Sequence, residues 1–178
     1  RLNQAETDIL IISVDTLFVT NNLKQIIIEH LAEKKIFKEH QIFIAASHTH
    51  YAPFLDQSKP NLGSVNQSYY HYFIDQLLIL VDKLMNDTLV DINLTYIDKP
   101  TNNLTVSRRK KSWGISKKIL LHKKMQRFPN DLEAIDATVR LFQFIDENTK
   151  KCIGLIWNFA CHPVMYHSPK NISSHFPG

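Results

Sequence analysis

The chain has 178 residues, enough for one domain with a hydrophobic core and too few for two domains of ordinary size. Its 44% hydrophobic and 21% charged residues are ordinary for a soluble globular protein, and no uninterrupted apolar run approaches the roughly 18 residues that a membrane-spanning helix needs. The net charge of +4 comes from one local excess of basic residues rather than from the chain as a whole.

Both ends of the sequence resemble the ends of a truncated chain. The chain starts at Arg1 without a methionine or a signal peptide, and it stops at Gly178 without a closing element. We therefore expect residues 1–178 to form a single partial domain, and the sequence leaves open whether that domain is cytoplasmic or secreted.

A strand, a helix and a second strand are predicted within the first 46 residues. Residues 9–14 are a nearly continuous apolar run, typical of a strand that is buried on both faces. The helix that follows has apolar residues on one stripe and a candidate cap at Asn21 or Asn22. Residues 41–46 predict the second strand. This order indicates a βαβ unit with parallel strands and a right-handed crossover.

The remaining elements follow from their hydrophobic periods. Apolar residues over 70–84 recur every 3.6 positions and predict a helix, and residues 90–97 alternate as in a half-exposed strand. Residues 137–145 and 152–160, joined by a polar turn, predict an antiparallel hairpin. The sum is an α/β fold with a mixed, partly parallel sheet and flanking helices, present as an incomplete domain.

A basic cluster lies between residues 108 and 127, with no acidic residue inside it. Its members are Arg108, Arg109, Lys110, Lys111, Lys117, Lys118, Lys123, Lys124 and Arg127. Such a cluster suits the phosphates of nucleic acid or of an anionic membrane, and it is equally typical of a solvated loop with a helix. We predict that residues 100–130 are irregular. Nucleic acid is not expected as a partner, since no known nucleic-acid-binding motif is present.

Histidines follow two of the predicted strands. The first strand runs into Ser47-His48-Thr49-His50, and the second runs into Cys161-His162-Pro163. Residues two apart in an extended segment face the same side, so His48 and His50 can converge on one site, one as a ligand and the other as a neighbour or proton carrier. Since function collects beyond the carboxyl ends of strands in α/β sheets, we expect His162 to meet them where neighbouring strands finish. Three protein ligands would leave zinc a place for water.

Five blocks of sequence occur in an order that points to one family. They are Ser13-Val14-Asp15, the block from Ala46 through His48-Thr49-His50 to Pro53, Val106-Ser107-Arg108-Arg109, the strand 136–144, and Asn158-Phe159-Ala160-Cys161-His162-Pro163-Val164. Together they resemble the catalytic N-terminal domain of the neutral, non-lysosomal ceramidase family. The blocks cover nearly the whole chain, and each is moderately specific by itself.

The resemblance implies a zinc-dependent hydrolase that cleaves a linear amide bond, in ceramide (N-acylsphingosine) or a related N-acyl compound, with zinc-activated water. It implies that His48 and His162 are zinc ligands, that His50 lies near the metal water or the substrate, and that Arg108 meets a polarised oxygen. The two other ligands of the family, a glutamate and a tyrosine, would lie in a later part of the chain. We therefore expect residues 1–178 to be inactive by themselves.

Some positions depart from the family pattern. His175 stands where relatives usually have aspartate, and it could add an imidazole ligand or remove an acceptor that orients a ligand histidine. Ser107 replaces the usual asparagine, and Tyr51 replaces a serine, which would narrow the pocket. Asp15 is a candidate hydrogen-bond acceptor for a histidine.

A second interpretation is a non-catalytic binding module in which the segment 108–127 engages anionic lipid or glycan. The expected partners are thus a small-molecule or lipid amide substrate and an anionic membrane surface, and the oligomeric state is left open. Metal content separates the two interpretations, because only the enzyme needs zinc.

Overall fold

The structure, a computed structural model, describes residues 1–5, 7–32, 37–102, 104–115, 121–163 and 171–174. The chain divides into two compact units. The first unit comprises Arg1–Thr88 and His162–Gly178, and the second comprises Leu89–Cys161. Each unit contains a three-stranded sheet of its own. The expectation of a single partial domain stays a prediction.

The first unit is a mixed α/β structure. Its elements are β1 (Leu2–Gln4), β2 (Thr7–Val14), α1 (Asn21–Ala32), a 3₁₀ turn (Glu39–Gln41), β3 (Ile42–Ala46) and α2 (Gln67–Asn86). The strand order is β1-β2-β3, in which β1 is antiparallel and β3 is parallel to β2. The parallel pairing of β2 and β3 on either side of α1 confirms the predicted strand–helix–strand unit and the α/β fold with a mixed sheet.

The hydrophobic core of the first unit is formed by side chains from one face of β2, from β3 and from both helices. Its buried side chains are Leu10, Ile12 and Val14 of β2, Ile42 of β3, Leu23, Ile27 and Leu31 of α1, and Leu77 and Val81 of α2. The helical members recur four residues apart, so each helix turns a single stripe inward. Burying side chains of this size stabilises the fold by roughly 1.5–3 kcal/mol each.

One prediction about β2 is wrong, because the strand is buried on one face rather than on both. Its inward residues alternate with exposed ones, and Ile11 is 40% exposed. On the neighbouring strand Phe43 is 55% exposed. Both helices contribute to the same core, and within the described ranges no layer covers the other face.

The helix caps are only partly as predicted. The cap of α1 is Thr20, not Asn21 or Asn22, since the hydroxyl of Thr20 accepts a hydrogen bond from the Leu23 amide at 3.1 Å. The helix predicted from the period over 70–84 is confirmed as α2, which is capped by Asn66. Across the described part of the chain, no helix is both long and apolar enough to cross a membrane.

The regular elements that the structure describes in the second unit are all strands. They are β4 (Ile92–Pro100), β5 (Lys110–Ile115), β6 (Leu121–Gln126), β7 (Thr138–Asp146) and β8 (Cys152–Asn158). An antiparallel sheet has the order β4-β7-β8, while β5 and β6 pair with each other. The predicted hairpin of the last two strands is confirmed as β7–β8. Its turn is closed by the Asp146 carboxylate, which accepts from the amides of Asn148 and Thr149.

The basic segment is a second hairpin, which corrects the predicted irregular structure of residues 100–130 and the loop-with-helix alternative. β5 and β6 pair antiparallel over six residues each, from Lys110 opposite Gln126 to Ile115 opposite Leu121. Apolar residues do alternate with polar ones here, at Trp113 and Ile115 for example. The density of lysines hides this short period of two in the sequence.

Candidate metal centre

The loop that follows β3 carries two of the three histidines of the site. The last residue of β3, Ala46, pairs with Val14, and the Ser47 amide donates to the carbonyl oxygen of Val14 at 3.0 Å. The sheet therefore fixes the position at which the loop begins. His48 follows with a φ of 62°, in the left-handed region that residues other than glycine seldom adopt. An unusual backbone conformation held in place by a sheet is a feature of functional sites.

The ring of His48 is oriented by the backbone. Its Nδ1 lies 2.9 Å from the carbonyl oxygen of Leu17. A carbonyl oxygen only accepts, so Nδ1 carries the proton and Nε2 has the lone pair. The edge of the Phe18 ring packs against the imidazole, with ring centroids 5.3 Å apart. Tautomer and ring plane are thus both constrained, as is usual for a histidine that binds metal.

Three imidazoles meet in the first unit. His50 Nε2 lies 3.3 Å from His162 Nε2, and the His48 ring centroid lies 5.2 Å from that of His50 and 5.0 Å from that of His162. One ligand atom from each residue lies within 4.8 Å of the others, so the group could hold a metal ion. His50 is exposed, whereas His48 and His162 are partly buried. The group is therefore open on the His50 side.

Thr49 anchors this loop to the segment near the C-terminal end. Its side chain is fully buried, and its hydroxyl bonds to the carbonyl oxygen of Ser173 at 2.5 Å while accepting from the Tyr51 amide at 3.2 Å. The Ser173 amide donates in turn to the carbonyl oxygen of Tyr51 at 3.0 Å. These hydrogen bonds fix the backbone around Thr49, between His48 and His50, against the segment that contains Ser173.

A buried carboxylate stabilises the continuation of the same loop. Asp56 is 1% exposed, and its side chain accepts hydrogen bonds from the amide and hydroxyl of Ser58 and from the ammonium of Lys59. Burial by itself raises the pKa of Asp56, but the bonds from Lys59 and Ser58 outweigh it, so the pKa lies below its ordinary value. The Lys59 ammonium also lies 4.8 Å from the centroid of the Phe18 ring, the ring that packs on His48.

Comparisons of the chain with protein-family models, with curated proteins and with solved structures gave no match.

The predicted site residues fall into both units. His48, His50 and His162 come together in the first unit, whereas Arg108 is exposed in the second, so its contact with substrate stays a prediction. Asp15 is exposed, and within the described ranges the acceptor for His48 is the Leu17 carbonyl instead of a carboxylate. His175 lies outside the described residues.

The route by which the histidines meet differs from the one expected. The sequence argument places His48 and His162 where neighbouring strands of one sheet finish, but β3 and β8 belong to different sheets. β8 pairs antiparallel with β7. His162 comes four residues after the end of β8, and it belongs to the first unit with the other two histidines.

Two residues that hold the site, Leu17 and Thr49, are not identified by a sequence motif. Leu17 acts through its carbonyl oxygen, which any residue type would supply. Thr49 sits between the histidines, and its burial follows from pairing with Ser173, which is 124 positions away. A hydroxyl flanked by two histidines is the one local hint, and it does not distinguish a ligand from an anchor.

A separate cleft of about 380 Å³ lies in the second unit. Its polar lining includes Thr105, Ser107, Asn130, Asp131 and Glu133. It contains neither histidine nor cysteine, and we assign no chemistry to it.

Proposed function

We propose that the chain is part of a zinc-dependent hydrolase that cleaves a linear amide bond in ceramide or a related N-acyl compound. The single observation that carries the proposal is the meeting of three imidazoles in which His48 is locked by the Leu17 carbonyl. The resemblance of the blocks around His48 and His162 to the neutral ceramidase family gives the substrate class.

The donor set favours zinc over magnesium and calcium. Imidazole nitrogen is a preferred ligand of zinc, whereas magnesium and calcium take oxygen ligands. One ring nitrogen from each of the three imidazoles lies within 4.8 Å of the others, which is close enough for the group to hold one ion. When bound, zinc lowers the pKa of water toward neutrality and polarises a carbonyl group.

We assign different roles to the three histidines. His48 and His162, which are partly buried, hold the metal. His50 is exposed, and exchange of protons with solvent requires such access, so it moves a proton to or from the reacting groups. Arg108 would stabilise negative charge on the substrate oxygen, as the family resemblance implies.

The resemblance places a glutamate and a tyrosine ligand outside residues 1–178. Zinc is almost always four-coordinate in proteins. His48 and His162, with His50 beside them, therefore bind zinc less tightly than a complete set of protein ligands would. We therefore expect the 178-residue chain to bind zinc weakly and to be inactive, and we expect activity from a protein that extends past Gly178.

Metal binding by the purified chain tests the proposal. The chain is stripped with a chelator and titrated with zinc, and the bound metal is measured by mass spectrometry. We expect one zinc per chain, lost in His162→Ala and kept in His40→Ala, which removes an exposed histidine outside the group. The extended protein is then assayed for release of fatty acid from N-acylsphingosine.

Two results would contradict the proposal. Zinc that stays bound after replacement of both His48 and His162 would place the metal elsewhere. If an extended protein that is loaded with zinc releases no fatty acid from any N-acyl substrate, the histidine group does not catalyse hydrolysis of these amides.

A further inference from the structure

We propose that the β5–β6 hairpin binds the surface of an anionic phospholipid membrane through Lys111, Trp113, Lys123 and Met125. We name this set the tryptophan face. All of its residues belong to the second unit, so the proposal does not depend on the metal group of the first unit.

The register of the hairpin places these side chains on one side. Lys111 lies opposite Met125, and Trp113 lies opposite Lys123. Residues two apart on a strand, and residues directly opposite on a neighbouring strand, point to the same side. A cation therefore stands next to an apolar group both along and across the strands. The other side, which carries Lys110 and Lys124, has Ser112 and Gln126 instead of large apolar groups.

The apolar members of the tryptophan face are open to solvent. Trp113 is 64% exposed and Met125 is 52% exposed, and both lysines are exposed as well. Exposed apolar side chains grouped within a polar rim mark an interaction surface. A partner that fits this surface must accept an indole and a thioether together with ammonium groups.

Charge identifies the partner as an anion. Seven cations of the basic cluster lie in the described ranges, and none of them forms a salt bridge with another described residue; they are Arg108, Arg109, Lys110, Lys111, Lys123, Lys124 and Arg127. Each basic residue near an anionic leaflet strengthens binding by about fivefold. A cluster of this size therefore discriminates strongly between anionic and neutral membranes.

The geometry of Trp113 favours a lipid surface over single-stranded nucleic acid. The ammonium of Lys123 lies over the indole face, 5.3 Å from the ring centroid. That face of the indole is therefore not open to a stacking nucleic-acid base. The indole edge and Met125 suit the boundary between headgroups and acyl chains, where tryptophan is enriched. Lysine stems can lie along that boundary while their ammonium groups reach the phosphates.

Vesicle co-sedimentation of the intact chain tests the proposal. Phosphatidylcholine vesicles are used with and without phosphatidylserine, at low and at physiological salt. We expect binding to the phosphatidylserine vesicles that weakens with salt. The pair Lys111→Glu and Lys123→Glu should lower the partition coefficient by tenfold or more. The matched pair Lys110→Glu and Lys124→Glu makes the same change in net charge on the opposite side, and it should lower binding by a smaller factor.

The indole gives a second, charge-neutral readout. Trp113→Ala should weaken binding several-fold, and the blue shift of tryptophan fluorescence on vesicles should disappear with it. Since these side chains are exposed, thermal unfolding of the variants should match the parent chain. If the glutamate pair unfolds, Lys111→Gln with Lys123→Gln replaces it.

The proposal is overturned by any of three outcomes. Binding could be equal with and without phosphatidylserine, or absent from both. Both glutamate pairs could lose the same factor, which would show diffuse attraction without a preferred face. Finally, a single-stranded oligonucleotide or heparin could bind more tightly than the vesicles and with the same dependence on Trp113, which would identify a different class of partner.

Discussion

The Nδ1 atom of His48 lies 2.9 Å from the carbonyl oxygen of Leu17, and this contact selects Nε2 as the nitrogen that can bind a metal. The contact joins the loop after β2 to the loop after β3, which is where two parallel strands end at one edge of a sheet. Because the acceptor is a backbone oxygen, the orientation of the ring depends on the fold rather than on a partner side chain.

Replacement of His48 by asparagine should remove the metal and keep the fold. Asparagine tolerates the left-handed backbone conformation that residue 48 adopts, with its φ of 62°. We expect zinc affinity to fall more than about a hundredfold, with the thermal unfolding temperature of the metal-free chain nearly unchanged. Calorimetric titration with zinc measures the first quantity. An affinity equal to that of the parent chain would exclude His48 as a ligand.

His50→Ala and His162→Ala should have different effects, although the two rings lie side by side. His162→Ala should abolish zinc binding, whereas His50→Ala should retain it and, in the extended protein, lower kcat by about 10²–10⁴-fold as expected for loss of an acid–base group. Metal content and kcat are measured on the same preparations. Equal loss of metal in both variants would make His50 a third ligand instead of a proton carrier.

Thr49→Val should loosen the loop that carries the histidines. Valine has nearly the same shape as threonine but leaves the Ser173 carbonyl and the Tyr51 amide without this hydroxyl. We expect the free energy of unfolding to drop by about 1–3 kcal/mol and the zinc affinity to drop by about tenfold. Thr7→Val, at an exposed position of β2, is the matched control and should change neither quantity. A Thr49→Val protein that behaves like this control would remove Thr49 from the site.

The Asp56 carboxylate should make the first unit less stable in acid. Its pKa is lower in the folded chain than in the unfolded chain, so its stabilisation is complete above the unfolded value, about 4, and is lost as the pH falls through the folded value. Asp56→Asn should therefore be less stable than the parent at neutral pH, and the difference should shrink as the pH falls below about 4. Urea unfolding across this range measures the effect.

Asp75→Asn, on the exposed side of α2, is the control for the loss of one negative charge. A difference in stability between Asp56→Asn and the parent that stays constant with pH would mean that the ionised form of Asp56 is not what stabilises the loop.

Local patterns in the sequence are sufficient for much of the fold. The 3.6-residue period predicts α2, and the two alternating runs with a polar turn predict the β7–β8 hairpin. The same patterns fail for the hairpin β5–β6, where lysines dilute the alternation, and for β1, whose three residues are mostly polar. In both cases hydrogen bonding to a neighbouring strand stabilises an extended conformation that the local sequence pattern does not indicate.

The sequence by itself determined both helices, the strands β2, β3, β4, β7 and β8, and the presence of histidines shortly after two of those strands. Only the tertiary structure decided that His50 and His162, which are 112 positions apart, lie with their Nε2 atoms 3.3 Å from each other. It also decided that contacts of Leu17 and Thr49 hold the loop that carries His48 and His50. The physical reason is range: a hydrophobic period depends on neighbours a few positions away, whereas the meeting of three imidazoles depends on where distant segments pack.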